Sequence, residues 1–318
     1  MAQPPPICTD GWQALRWDPL GWLLDDAAPG VQWRTLVELF GRPEESPAVR
    51  RSLGAVNAAE PVASLLADLH PDGGWATAVP PWKRFSGPWW RLLAAVEWGA
   101  DPTDPRLGAG AERMLDEVVG DGGIVLATAE GPSVPVTARV VQSMARLGRW
   151  SHLRVREAVA WLDEAAPVGP CAGWSVDSGE SLVVPVAILT AVAESGENRP
   201  QLQQRAVESI ARSIGVDSSD RLGVPLLDRT DLAETLWALA RAGEAYGGWM
   251  REPLLRLQRL QDETGRWSRT LPFPAGLPVG ERPAVGVASR GVTLRAVVAL
   301  LRWAVDAELP RMYPQKPE

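Results

Sequence analysis

SGPWWRLLAAVEWGA at residues 86–100 and DPRLGAGAERMLDEVV at 104–119 read as two consecutive helices of different character. The first is apolar almost all round, so a helix there must be enclosed by protein. The second spaces its charged residues by three and four and therefore keeps one face in water. A helix of each kind, joined by a short turn, makes a hairpin with a buried and an exposed arm. Ser86 with Pro88 behind it, and Asp104 before Pro105, are suitable helix starts.

The same contrast returns along the chain. VTARVVQSMARLGR precedes HLRVREAVAWLDEA, and SLVVPVAILTAVAES precedes QLQQRAVESIARSIG. DLAETLWALARAGEA at 231–245, with Thr230 or Asp231 as its cap, precedes EPLLRLQRLQDE at 252–263, and GVTLRAVVALLRWAVDA at 291–307 adds a last apolar helix. Upstream, GVQWRTLVELF at 30–40 and EPVASLLADLH at 60–70 supply another pair. A small turn motif keeps time with them: HPDGGW at 70–75, GDGGI at 120–124, PCAGW at 170–174 and DRLGV at 220–224. Its last glycines, Gly74, Gly123, Gly173 and Gly223, are 49, 50 and 50 residues apart, and Gly265 follows after 42. Glycine suits a chain that leaves a helix and turns sharply through positive φ. The expectation is an all-α chain of about six helical hairpins in inner and outer layers, forming one domain over 21–308 between tails at 1–20 and 309–318. Closure into a ring and an open superhelix are both compatible with the repeat. GIVLATA and WSRTLPF could form short extended pieces.

Composition narrows the function. Of 318 residues, 46% are hydrophobic and 22% charged, which is ordinary globular usage. The apolar run at 181–195 falls short of the roughly 20 residues needed to span a bilayer and contains Pro185, so membrane association is expected to be peripheral at most. The start, MAQPPPICTDGW, lacks a basic segment followed by an apolar one, and a cytoplasmic location is the default expectation. A net charge of −7 without charge blocks argues against nucleic acid as a partner. Cys8 and Cys171 are too few for a disulfide framework or a cysteine zinc cluster. Tryptophan is the outlier, at 16 against 3 Phe and 2 Tyr; so many large rings can fill gaps between helices or line a cavity.

Gln261, Gly265 and Trp267 in QDETGRW fit Q-x-x-x-G-x-W, and DGGW at 72–75 resembles a degenerate copy. On these residues and the hairpin beat, over roughly 60–305, the chain resembles the terpenoid cyclase and prenyltransferase superfamily, whose squalene-hopene and oxidosqualene cyclases carry that repeat. The resemblance implies a closed α/α toroid, in which the Gln bridges one helix end and the Trp ties adjacent hairpins together. It also implies an isoprenoid as the hydrophobic small-molecule partner. Class II members start carbocation chemistry with the central acid of D-x-D-D at the start of an inner helix, an acid that must be kept protonated.

Here Asp228-Arg229-Thr230-Asp231 stands at that place, with Thr230 where the acid belongs. A threonine hydroxyl is no Brønsted acid, so catalysis would fall to Asp228 or Asp231. The alternative is that Asp231 caps the helix while Asp228 pairs with Arg229 or solvent. Trp75, Trp82, Trp89, Trp90, Trp174 and Trp237 are candidates to line a substrate cavity, and Lys83, Arg84 and Arg91 could meet a diphosphate. No cofactor is expected. No metal is either: His70, His152 and Cys171 are poorly spaced for the zinc of prenyltransferases, and Asp25-Asp26 lacks the third carboxylate of a magnesium-binding D-D-x-x-D. The competing function is a non-catalytic toroid that binds a lipid or a protein segment. Partner chains are left open.

Overall fold

The computed structural model describes residues 9–117, 133–165, 182–217, 220–280 and 282–312. The described chain is all-α, as the periodicity predicts. Its helices are α1 (Leu20–Leu23), α2 (Pro29–Glu38), α3 (Pro47–Val56), α4 (Val62–Leu66), α5 (Pro88–Glu97), α6 (Pro105–Glu117), α7 (Val134–Arg146), α8 (Leu153–Ala165), α9 (Val183–Ser195), α10 (Pro200–Asp217), α11 (Leu232–Arg241), α12 (Arg251–Arg259) and α13 (Arg290–Trp303). In place of strands, WSRTLPF contributes a single isolated bridge, Ser268 to Ala288. GIVLATA lies outside the described residues. Among the described residues no helix is long and apolar enough to cross a membrane.

The two kinds of helix separate as expected. Every residue from Val183 to Val192 of α9 is buried, as is every residue from Trp89 to Glu97 of α5. Pro185 sits in the first turn of α9, where its missing N–H removes no helical bond. The buried helices neighbour one another in the order α5, α7, α9, α11, α13, α2. The Trp33 indole N–H of α2 donates to the Gly99 carbonyl at 2.9 Å, just past α5. The more polar α6, α8, α10 and α12 pack against α5, α7, α9 and α11 in turn. The segment Thr9–Ala14 is a 3-10 turn against α13, and the Gln258 side chain holds it by donating to the Ala14 carbonyl at 2.8 Å.

The helix ends identify which glycines the backbone needs. Gly99, Gly148, Gly196 and Gly243 have φ between +67° and +83° and close α5, α7, α9 and α11. At three of them the next amide reaches back five residues, Ala100 to Ala95, Arg149 to Met144 and Glu244 to Leu239, at 2.8–3.1 Å. That bond, with a left-handed residue before it, is the Schellman ending. Among the turn glycines expected to need positive φ, Gly265 has it at +80°, whereas Gly74 and Gly223 do not; in HPDGGW the left-handed residue is Gly73. Gly123 and Gly173 lie outside the described residues.

The two copies of the repeat motif make the same tie. Trp267 donates its indole N–H to the Leu257 carbonyl at 2.7 Å, and Trp75 donates to Leu65 at 3.0 Å, each reaching a carbonyl ten residues earlier. Each is preceded by two positions by a left-handed glycine, Gly265 or Gly73. Gln261 bonds the backbone of Arg16 and Trp17, pinning the N-terminal segment to this end of α12.

Candidate functional site

Asp231 is the N-cap of α11. One carboxylate oxygen accepts the Glu234 amide at 2.7 Å and the other accepts the Gly223 amide at 2.8 Å. Burial pushes its carboxyl up to about 6, while Arg295 and the two amides oppose that shift. Asp228 is held by Arg84 and lies 3.4 Å from the Arg229 guanidinium. The Thr230 hydroxyl donates to Glu234 Oε2 at 2.8 Å. Phe85 and Leu227, each beside a member of the Arg84–Asp228 pair, have φ of +60° and +43°. Bulky residues rarely adopt that conformation, so the pair is held across two locally strained turns. At the start of α5, Gly87 rather than Ser86 occupies the cap position.

Behind these aspartates the interior is ionic. Arg139 of α7 makes a two-pronged pair with Glu234 of α11, at 2.8 Å on each oxygen, and also donates to Gln142 at 2.8 Å and to the Arg229 carbonyl. Arg295 of α13 donates to Glu97 of α5 at 2.9 Å and stands 3.8 Å from Glu234. Glu97 in turn accepts the Leu226 amide at 2.9 Å. All four side chains are buried. Burial alone would raise the Glu234 carboxyl, but Arg139 and Arg295 outweigh it and hold it well below the usual range.

The tryptophans divide among three places. Trp75 is spent on its tie to α4. Trp82, Trp89 and Trp90 form a cluster at the start of α5: Trp82 and Trp89 are 6.4 Å apart, Trp90 lies edge-on to Phe85 at 5.2 Å, and the Trp90 N–H donates to the Trp82 carbonyl. Trp82 is the exposed member. Trp237, fully buried in α11, has guanidiniums over its ring from Arg34, Arg146 and Arg295 at 5.1–5.5 Å, and its N–H donates to Glu38 at 2.7 Å. Trp174 lies outside the described residues, as does Cys171. Of the basic residues near the cluster, Arg84 is taken by Asp228, and Arg91 is buried 3.6 Å from Asp68.

A cavity of about 430 Å³ opens where α2, α7, α9 and α11 meet the end of α5. Its lining includes Trp33, Arg34, Glu38, Arg146, Glu194 and Arg241 beside apolar residues such as Val37, Leu53, Val96 and Leu147. Arg34 and Glu38 pair at 2.9 Å. Burial alone would raise the Glu38 carboxyl, yet Arg34, Arg241 and the Trp237 N–H together hold it below its ordinary value. Glu194 Oε1 is shared by Arg146 at 3.6 Å and Arg241 at 3.5 Å, beyond ordinary hydrogen-bond length. Burial pulls the Arg146 guanidinium down to about 10, so it stays charged at neutral pH. Arg146 Nη2 and Arg241 Nε are buried and make no hydrogen bond.

Reasoning from sequence did not reach this set, although a signal was there. Glu97, Arg146, Glu194 and Arg241 each stand two residues before a left-handed glycine, so the same repeat position alternates in charge from helix to helix. An apolar helix that spends such a position on a charge gives it a buried partner.

No family model matches the chain, and no curated protein matches it. Among solved structures it is similar to a crystal structure of a protein from Actinoplanes, at 18% identity and a TM-score of 0.46 over 89% of this chain and 90% of that one.

Proposed function

We propose that the chain is a non-catalytic binding protein on a terpenoid cyclase-like toroid, holding a small molecule in the cavity between α2, α5, α7, α9 and α11. The succession of buried helices and the paired Trp75 and Trp267 ties support the toroid. The observation that carries the binding reading is the cavity itself, which joins an apolar wall to the guanidiniums of Arg34, Arg146 and Arg241. Its volume lies within the ordinary range for small-molecule sites. A protein of this kind in the cytoplasm would need no cofactor.

A second reading, protonation of an isoprenoid by Asp231, draws support from the raised pKa of that carboxyl at the start of a buried helix. Against it stand the two amides that occupy the carboxylate and the Arg139–Glu234–Arg295–Glu97 network beside it. A carbocation route needs a dry apolar chamber there. Incubation with farnesyl diphosphate, geranylgeranyl diphosphate and squalene, followed by extraction and mass spectrometry, separates the two. The binding reading expects no cyclised product. A product that disappears in Asp231→Asn would replace it with the cyclase reading.

A further inference from the structure

The cavity's charges can be counted pair by pair. Arg34 and Glu38 close on each other at 2.9 Å, with Glu38 further occupied by the Trp237 N–H. That leaves Arg146 and Arg241 against Glu194, two guanidiniums sharing one carboxylate oxygen at 3.5–3.6 Å. The trio carries one positive charge in excess, and the exposed Glu44 is the remaining carboxylate of the lining. Its unspent donors, Arg146 Nη2 and Arg241 Nε, are buried, and the Arg241 side chain is only 7% exposed. Two guanidiniums held 3.5–3.6 Å from the one oxygen they share are under-satisfied, and a carboxylate accepts from two guanidiniums with little loss of geometry. Arg146 lies over the Trp237 ring at 5.5 Å, and Arg241 is one helical turn beyond that tryptophan on α11.

Resting on the binding reading above, we propose that this cavity takes a small organic carboxylate, its COO⁻ group bridging Arg146 and Arg241 and its apolar body lying against Val37, Leu53, Val96 and Leu147. A monoanion balances the trio. A dianion such as phosphate would bring a second negative charge against the trio's single excess, beside Glu194 and Glu44.

The test is isothermal titration of the full chain with octanoate and benzoate, beside 1-octanol, benzyl alcohol and inorganic phosphate. The carboxylates are expected to bind at least about 10-fold more tightly than the matching alcohols and than phosphate, as charge-assisted hydrogen bonds require. Arg146→Gln and Arg241→Gln should each weaken carboxylate binding by about 10- to 100-fold while changing alcohol binding little. Glu194→Gln, which removes the competing carboxylate, should tighten it. If the arginine variants do not fold, the carboxylate–alcohol comparison on the natural chain and the Glu194→Gln variant decide. Equal affinity for acid and alcohol, preference for phosphate, or unchanged affinity in Arg241→Gln overturns the carboxylate assignment and leaves the binding reading standing. Heat from none of the five probes overturns the assignment as well, whereas the binding reading falls separately, to a cyclised product in the prenyl incubation.

Discussion

Asp231 illustrates how one side chain can serve a fold and still be costly to it. Its carboxyl titrates near 6 in the folded chain against an ordinary 3.8, so the folded state holds the proton more tightly than the unfolded one. The resulting stability is fully present below about pH 4 and is lost as pH rises through about 6, a difference on the order of 3 kcal/mol. Asp231→Asn should remove this component, so that urea midpoints between pH 4 and 7 fall less steeply with rising pH than in the natural chain. Trp237 makes the opposite kind of commitment. Its N–H satisfies a buried carboxylate and its faces carry three guanidiniums. Trp237→Phe keeps a ring but leaves Glu38 one donor short, and should cost about 2 kcal/mol in chemical denaturation.

At the scale of the element, glycines of like φ differ in what surrounds them. A Cβ at Gly148 or Gly243 would meet nothing within 4 Å, so substitution there tests backbone strain alone. At Gly73 it would lie 2.3 Å from the Ala109 carbonyl carbon. Gly148→Ala and Gly243→Ala should each cost about 1 kcal/mol, and Gly73→Ala about 3 kcal/mol, in urea unfolding. The buried helices α5, α7, α9, α11 and α13 were legible because an all-round apolar segment has one stable setting. The helix α3 was not, since PAVRRSLGAV offers only Val49, Leu53 and Val56 as an apolar face among arginines and a glycine. The fifty-residue beat was legible too, but a period recurs at every position of a repeat. It could not tell Gly74 from Gly73, or the turn glycines from those that end the buried helices. Of the site, the Asp231 cap was among the readings open from sequence. The Arg146, Glu194 and Arg241 trio was hidden, because charges near a helix end ordinarily belong to solvent.

Across the whole molecule, the Arg139–Glu234–Arg295–Glu97 network joins α5, α7, α11 and α13 through groups that have no water to fall back on. Removing one partner strands a buried charge: Glu234→Leu or Arg139→Met should destabilise by about 3–5 kcal/mol. The Arg139→Met/Glu234→Leu double variant should recover much of that loss, since the pair leaves together; a double-mutant cycle from urea melts measures the coupling. The alternation of Glu97, Arg146, Glu194 and Arg241 along successive buried helices sets a parity rule on the architecture. Deleting the hairpin of α9 and α10 would bring Arg146 beside Arg241 with no acid between them, and duplicating it would set two glutamates side by side. Repeats could be gained or lost only in twos without such a clash, so the hairpin count resists change one unit at a time.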